Sequence, residues 1–147
     1  MSYDPNNLFA RIGRGDIPCI RVYEDADTLA FMDIMPQADG HTLVIPKRAG
    51  ENLLDTALSD VMTAMQTTQR VAKAVQHAFN APGLIISQFN GEAAGQTIFH
   101  LHFHIIPAYP ASRLQHHART KADPAKLEQH AASIRMSLQT LSSGSPT

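Results

Sequence analysis

Three histidines occupy alternate positions, His100, His102 and His104, in the run His-Leu-His-Phe-His-Ile-Ile-Pro. Successive side chains of a β-strand point to opposite faces, so this spacing places three imidazoles on one face while the apolar residues between them cover the other. At a rise of about 3.3 Å per residue, neighbouring histidines have Cα atoms about 6.6 Å apart. We therefore expect all three rings to reach one phosphate group or one metal ion.

Imidazoles in this arrangement can support two kinds of chemistry. Neutral imidazole is a common ligand of zinc, copper and iron, and Asp33 or His41 could complete such a metal site from a distance. Imidazole can also attack phosphorus at neutral pH and form a P–N bond that water hydrolyses, while neighbouring rings stabilise phosphate charge. A solvated strand face without chemistry is the third alternative, although it has no need of three such groups.

The loop before these histidines, Gly91-Glu-Ala-Ala-Gly95-Gln96, consists mainly of small residues. Small residues let the main chain approach a ligand closely, so the backbone N–H groups of Gly95 and Gln96 can contact an anion. Gly95 can equally be an ordinary turn residue. The loop favours a phosphate site without excluding a metal site.

Hydrophobic periodicity predicts the elements that position the histidines. A short helix precedes Gly13, a long amphipathic helix spans about 59–78 and a C-terminal helix spans about 125–141. Strands are predicted at 19–24, 28–33, 41–45, 84–90 and at the histidine run. This order predicts an α+β fold, a single domain with a mainly antiparallel five-stranded sheet, one long central helix and a C-terminal helix. We expect a domain core at 1–110, a loop and helix packed on it at 111–141, and a flexible tail at 142–147.

Composition narrows the class of protein. The chain has 147 residues, 44% hydrophobic and 17% charged, which fits one globular domain. It has no apolar run near the roughly 20 residues of a membrane helix, no signal-peptide pattern at its start and one cysteine, Cys19, so we expect a cytoplasmic protein without a disulfide. A net charge of −1 offers no basic surface for long nucleic acid. We interpret the remaining histidines as surface residues: His77, His116, His117 and His130.

The segment from Asn90 to Pro107 is similar to the signature of the histidine triad (HIT) family of nucleotide hydrolases and transferases. Segments 9–12, 17–18, 29–34 and 40–47 also fit, in the family's order, so the resemblance covers about residues 8–107. It implies a HIT-like fold and a homodimer in which two sheets join, with the long helix at the contact.

The resemblance also implies roles for particular residues. His102 is the nucleophile that attacks the α-phosphate of a nucleotide and carries a covalent nucleotidyl intermediate, His104 contacts phosphate and assists the leaving group, and His100 holds the geometry. Asp33 binds the ribose hydroxyls, which fits a carboxylate's capacity to accept two hydrogen bonds. Further polar contacts are expected from His41, Asn90, Gln96 and Thr97, and an apolar lining for a purine base from Leu8, Phe9, Ile12, Phe31 and Ile34.

The sequence departs from the family at a metal site. Many members bind a structural zinc through a Cys-x-x-Cys pair, a further histidine and the first histidine of the triad. The corresponding positions here are Asn7, Ala10 and Ala49. Because all three ligands are lost together, we predict no structural metal and no cofactor.

The resemblance and the residues together predict a hydrolase that cleaves the α-phosphate linkage of small purine nucleotides, in particular nucleoside phosphoramidates. Hydrolysis of dinucleoside polyphosphates is the closest alternative, because it shares the nucleotidyl-histidine step. An alternative of another class is a nucleotide-binding regulatory module with weak turnover.

Overall fold

The structure is a computed structural model that describes residues 2–110 and 120–143. It has three α-helices and five strands in these residues, and it confirms the predicted α+β architecture. A short 3₁₀ helix, Glu92–Ala94, precedes the histidine segment. In chain order the elements are α1 (Leu8–Gly13), β1 (Arg21–Glu24), β2 (Thr28–Met32), β3 (Thr42–Pro46), α2 (Leu58–Phe79), β4 (Gly83–Ser87), β5 (Phe103–Ala108) and α3 (Pro124–Ser143).

The five strands form one sheet in the order β1-β2-β3-β5-β4, and every neighbouring pair is antiparallel. Alternate residues of the central strands pack on opposite faces of this sheet. On one face, Met32, Val44 and Ile105 belong to a core that also contains Val71 and Val75 of α2. The other face forms a smaller cluster with Phe9 of α1, made by Leu29, Phe31, Leu43 and Ile45.

The C-terminal helix α3 packs on the same core as α2. Leu127, Ala131 and Ile134, one helical turn apart, are buried in the cluster that contains the central strands. The helix continues to Ser143, beyond the predicted end at 141. The rest of the expected loop and tail, at 111–119 and 144–147, lies outside the described residues, as do His116 and His117.

The histidine segment differs from the prediction of one continuous strand. β5 begins only at Phe103, so His100 and His102 precede the strand and His104 lies within it. The partner strand β3 ends at Pro46, which has no N–H to donate to a ladder. The residues just before β5 make isolated hydrogen bonds instead of a ladder. His100 Nε2 donates to the Pro46 carbonyl, and the Leu101 N–H donates to the Gly50 carbonyl.

None of the helices in the described part of the chain combines the length and apolar character that a membrane crossing requires.

The turn that carries His41 into β3 depends on Gly40. This glycine has φ of +89°, a conformation that residues with a Cβ rarely adopt. A Cβ at this position would lie 2.9 Å from the ring of Phe79 at the end of α2. The close approach of Gly40 to Phe79 therefore fixes the turn against the helix.

We predict that Gly40→Ala destabilises the protein by about 3 kcal/mol, the sum of left-handed backbone strain and overpacking against Phe79. Gly15→Ala is the matched control, because Gly15 has a similar φ of +86° but no atom within 4 Å of a built Cβ. It should cost only about 1 kcal/mol. Urea unfolding of both variants checks this difference, and equal costs would contradict the packing argument.

Candidate active site

A largely apolar cavity of about 520 Å³ opens on the sheet face that carries α1. The rings of His102 and His104 form part of its wall, with centroids 5.0 Å apart. The volume is within the range of small-molecule sites, and apolar walls with a few polar groups are typical of them. Most of the predicted site residues lie around this cavity: Leu8, Phe9, Ile12, Phe31, Asp33, Ile34, His41, Gly95, Thr97, His102 and His104.

His102 is held in one protonation form by the main chain. Its Nδ1 lies 2.7 Å from the carbonyl oxygen of His100, and a carbonyl can only accept a hydrogen bond. Nδ1 of His102 therefore carries the proton, and Nε2 keeps its lone pair. Burial lowers the pKa of His102, which favours this neutral form. Phe9 packs edge-to-face against the same ring, with the two centroids 4.8 Å apart.

His100 is completely buried and does not line the cavity. Its Nε2 donates to the Pro46 carbonyl at 2.8 Å, and its Nδ1 lies 2.7 Å from the Tyr3 hydroxyl. Burial lowers the pKa of His100 to about 4, so the ring is neutral. The expectation that all three imidazoles reach one ligand is therefore wrong for His100, which faces the protein interior.

His41 and His104 are joined in a directed hydrogen-bond chain. The backbone N–H of Gln37 donates to His41 Nδ1 at 3.0 Å, so the proton of neutral His41 is on Nε2. Nε2 lies 3.0 Å from His104 Nδ1, which accepts the hydrogen bond from it. Burial, together with the nearby His104 and His102, lowers the pKa of His41 to about 3. Because Nδ1 of His104 accepts in this hydrogen-bond chain, the proton of neutral His104 is on Nε2.

Asp33 lies at the end of β2, beside this chain. One carboxylate oxygen accepts from the backbone N–H of Met35 at 2.8 Å, and the other lies 3.4 Å from His41 Nε2. The side chain lines the cavity and is 19% exposed. A carboxylate in this position can accept hydrogen bonds from ligand hydroxyls.

The loop that precedes the histidines does not present the expected anion cradle. The N–H of Gly95 donates to the Glu92 carbonyl, and the N–H of Gln96 donates to the Gly91 carbonyl. Both N–H groups therefore make hydrogen bonds within the loop rather than with an anion, although Gly95 itself lines the cavity. With φ of +105°, Gly95 ends the 3₁₀ helix in a turn, as the alternative interpretation of this residue predicts.

Asn90 and Gln96 lie outside the cavity lining. The Gln96 side chain is buried and bonds to the Glu51 and Ile98 carbonyls and the Gly91 N–H. Asn90 accepts from the Leu53 N–H. These two amides connect the loop to the segment at 51–53, and they serve the site by fixing the loop rather than by facing a ligand.

The residues present do not fit a structural metal at His100. Both of its ring nitrogens have hydrogen-bond partners, Ala10 and Ala49 offer no ligand atom, and the Asn7 side chain caps α1 by accepting from the Ala10 N–H. The predicted absence of a structural metal therefore has a chemical basis in this chain.

A second group, Asp33, His41 and His104, brings three potential ligand atoms within 4.8 Å of one another. Metal binding through His41 Nε2 would displace the proton on that nitrogen. The proton could move only to Nδ1, where it would face the N–H of Gln37 at 3.0 Å. This protonation pattern suits a hydrogen-bond relay and opposes a metal at His41.

Several residues of the cavity wall were missed by sequence reasoning. Phe89 packs on His104 with centroids 5.6 Å apart, and Gln37 acts through its backbone, which no side-chain pattern reveals. Cys19, at the start of the strand predicted for 19–24, instead precedes β1 and is half-buried in the wall. Further apolar lining comes from Ile17, Pro18, Met35 and Ile98. Ile17 and Pro18 lie in a segment that resembles the family, so the resemblance contained a signal for these two lining residues.

Comparisons with known proteins identify the family and agree with the fold. The sequence profile of the HIT domain matches residues 14–111, about two thirds of the chain, and the chain belongs to this family. It is 48% identical to a Hit-like protein involved in cell-cycle regulation from Bartonella henselae, whose crystal structure contains an unknown ligand. That likeness covers 92% of this chain and 99% of the other, with a TM-score of 0.87.

Two further relatives bear on chemistry. The chain is 38% identical to the adenosine 5'-monophosphoramidase HNT1 of Candida albicans over 106 residues, covering 68% of each protein. It is 36% identical to a zinc-bound histidine triad family protein from Mycobacterium smegmatis, with a TM-score of 0.84 over 95% of this chain and 98% of the other.

We predict that stability decreases as the pH is lowered from 6.5 to 5. Histidines in the unfolded chain take up protons near pH 6.5, whereas His41 and His100 stay neutral in the folded state down to a pKa of about 3 and about 4. Their contribution is fully present above pH 6.5 and is lost as the pH falls toward the folded pKa values. The loss is about 2 kcal/mol per group by pH 5.

Urea unfolding at pH 7, 6 and 5 measures this slope. A constant free energy of unfolding over this range would contradict the assignment of two neutral buried rings.

Proposed function

We propose that this chain is a nucleotide hydrolase that cleaves the α-phosphate linkage of purine nucleotides, in particular nucleoside phosphoramidates, through a covalent intermediate on His102. The observation that carries the proposal is the hydrogen bond from His102 Nδ1 to the His100 carbonyl, which leaves an unprotonated Nε2 at the wall of the cavity. Family membership and the phosphoramidase activity named for the Candida albicans relative support it.

In the first step, His102 Nε2 attacks the α-phosphorus. A P–N bond to His102 forms while the bond from phosphorus to the amine leaving group breaks, and the departing amine takes a proton from water. Positive charge develops on the imidazole, where the His100 carbonyl that accepts from Nδ1 stabilises it. His104, with its proton on Nε2, donates a hydrogen bond to the phosphate or the leaving group.

In the second step, water attacks the phosphorus of the nucleotidyl-His102 intermediate. The P–N bond breaks, the nucleoside monophosphate leaves and one proton returns to solvent, so the two steps are balanced and His102 is again neutral. His41 maintains the orientation of His104 by donating to its Nδ1. No step requires a metal or a cofactor.

The cavity also supports a purine nucleoside as the bound group. Apolar side chains of α1 and β2 offer surface for a flat base, with Phe9 and Phe31 in edge-to-face contact at 5.4 Å. Asp33 lines the same cavity and lies 3.4 Å from His41 Nε2, and its carboxylate can accept from ribose hydroxyls.

We predict that the native protein releases AMP from adenosine phosphoramidate without added metal and in the presence of a chelator. His102→Ala should lower kcat by at least about 1,000-fold because it removes the nucleophile, and His104→Ala by about 100-fold. His77→Ala is the matched control, since it removes an imidazole outside the cavity and should leave turnover unchanged.

Three results would contradict this account. Absence of AMP release from the native protein would remove the phosphoramidase proposal, and equal turnover by His102→Ala would remove the nucleophile. Loss of turnover with the chelator would restore a metal mechanism. Release of AMP from a dinucleoside polyphosphate but not from the phosphoramidate would favour the alternative substrate class.

We also propose that the protein is a homodimer. Exposed large apolar side chains are concentrated on α2, the edge strand β4 and the segment before α2: Leu53, Leu54, Leu58, Met62, Met65, Ile85 and Ile86. Because β4 is at the edge of the sheet, its unpaired side can join the same strand of a second copy.

We predict that the native protein sediments as a dimer and that Ile86→Lys shifts it toward monomer. Met136→Lys is the control, because Met136 is 69% exposed on α3, a helix that contributes none of these residues. Sedimentation velocity at low concentration measures both. A monomeric native protein would refute the dimer.

A further inference from the structure

The hydroxyl of Tyr3 contacts the buried face of the histidine segment. It lies 2.7 Å from His100 Nδ1, and the two rings are 5.9 Å apart at their centroids. Tyr3 lies before residue 14, where the match to the HIT domain begins, and outside the segments that resemble the family. The contact with His100 is therefore made by an N-terminal residue outside the part of the chain that matches the HIT domain.

The direction of this hydrogen bond follows from the bond on the other side of the His100 ring. Nε2 of His100 must carry a proton, because its partner is the Pro46 carbonyl, which can only accept. A neutral ring then has a lone pair on Nδ1, so the Tyr3 hydroxyl is the donor. Tyr3 and Pro46 together satisfy both nitrogens of a ring that is 0% exposed.

The same residue, His100, also supplies the carbonyl that sets the proton of His102. Its side chain is held between Tyr3 and Pro46, while its main chain accepts from His102 Nδ1 at 2.7 Å. The ring and the carbonyl belong to one residue, so hydrogen bonds that fix the His100 side chain also restrain its main chain. A hydroxyl outside the cavity is therefore connected to the His102 ring through a single residue, His100.

The N-terminal segment that carries Tyr3 is also joined to α1. The Asn7 side chain accepts from the Ala10 N–H at the start of the helix and donates to the Asp4 carbonyl. In the same helix, Phe9 packs on His102. The segment thus reaches His102 by two routes, through His100 and through α1.

We infer that Tyr3 is a positioning residue: its hydroxyl locks His100 so that the His100 carbonyl holds His102 with Nε2 toward the cavity. The inference rests on the proposed function for the role of His102 in turnover. Tyr3 does not contact the cavity and should not affect affinity for the nucleotide directly.

The test compares Tyr3→Phe with Tyr23→Phe. Each variant loses one hydroxyl and keeps its ring, but the Tyr23 hydroxyl bonds to Asp25 and Arg70 on another part of the sheet. With adenosine phosphoramidate, Tyr3→Phe should lower kcat about tenfold while KM changes less than about twofold, because the nucleophile is misplaced and the cavity wall is kept. Tyr23→Phe should keep the native kcat.

Long-range ¹H–¹⁵N spectra of the imidazoles provide a measurement that does not depend on turnover. Tyr3→Phe should shift the Nδ1 resonance of His100, which loses its donor, and also the Nδ1 resonance of His102. Tyr23→Phe should leave both unchanged. A merely structural role of Tyr3 would alter the unfolding midpoint without moving the His102 resonance.

The outcomes separate this inference from the proposed function. If the native protein has no turnover, the proposed function fails, and the His102 resonance in Tyr3→Phe still decides the positioning role. If the native protein turns over, a native kcat in Tyr3→Phe overturns the inference. An unchanged His102 resonance in Tyr3→Phe, or equal losses of kcat in both tyrosine variants, also overturns it.

Discussion

The site depends on hydrogen bonds between imidazoles and backbone groups that can act in only one direction. The His100 carbonyl accepts from His102 Nδ1, and the Gln37 N–H donates to His41 Nδ1, so the two rings carry their protons on opposite nitrogens. His102 is left with a lone pair on Nε2, whereas His41 has a proton there to donate to His104. Similar side chains thus acquire different chemical roles because their backbone partners differ.

The fold provides these partners by placing irregular segments beside a rigid sheet. Strand β3 ends at Pro46, whose carbonyl bonds to the His100 ring, and the turn before β3 brings the N–H of Gln37 onto His41. The central strands are packed on both faces, by α2 and α3 on one side and by α1 on the other. Close packing resists small displacements, so the imidazoles keep the spacing that a reaction at phosphorus requires.

The sequence predicted the architecture because its periodic patterns are long and distinct. The apolar stripe of α2 and the alternation at 101–105 are visible without a structure, and most of the cavity lining followed from the family resemblance. Backbone interactions were less accessible. Nothing in the residue types shows that the Gly95 N–H is used within its own loop, that Gln96 faces inward or that Tyr3 reaches His100, 97 positions away. These features depend on hydrogen bonds between distant segments, which periodicity does not encode.

The central claim is that His102 and His41 are both neutral and hold their protons on opposite ring nitrogens. A long-range ¹H–¹⁵N spectrum of the native protein at pH 7, with each ring assigned, tests it directly. The account predicts protonated Nδ1 and unprotonated Nε2 for His102, and the reverse for His41. A proton on Nε2 of His102, or the same tautomer in both rings, would contradict the account.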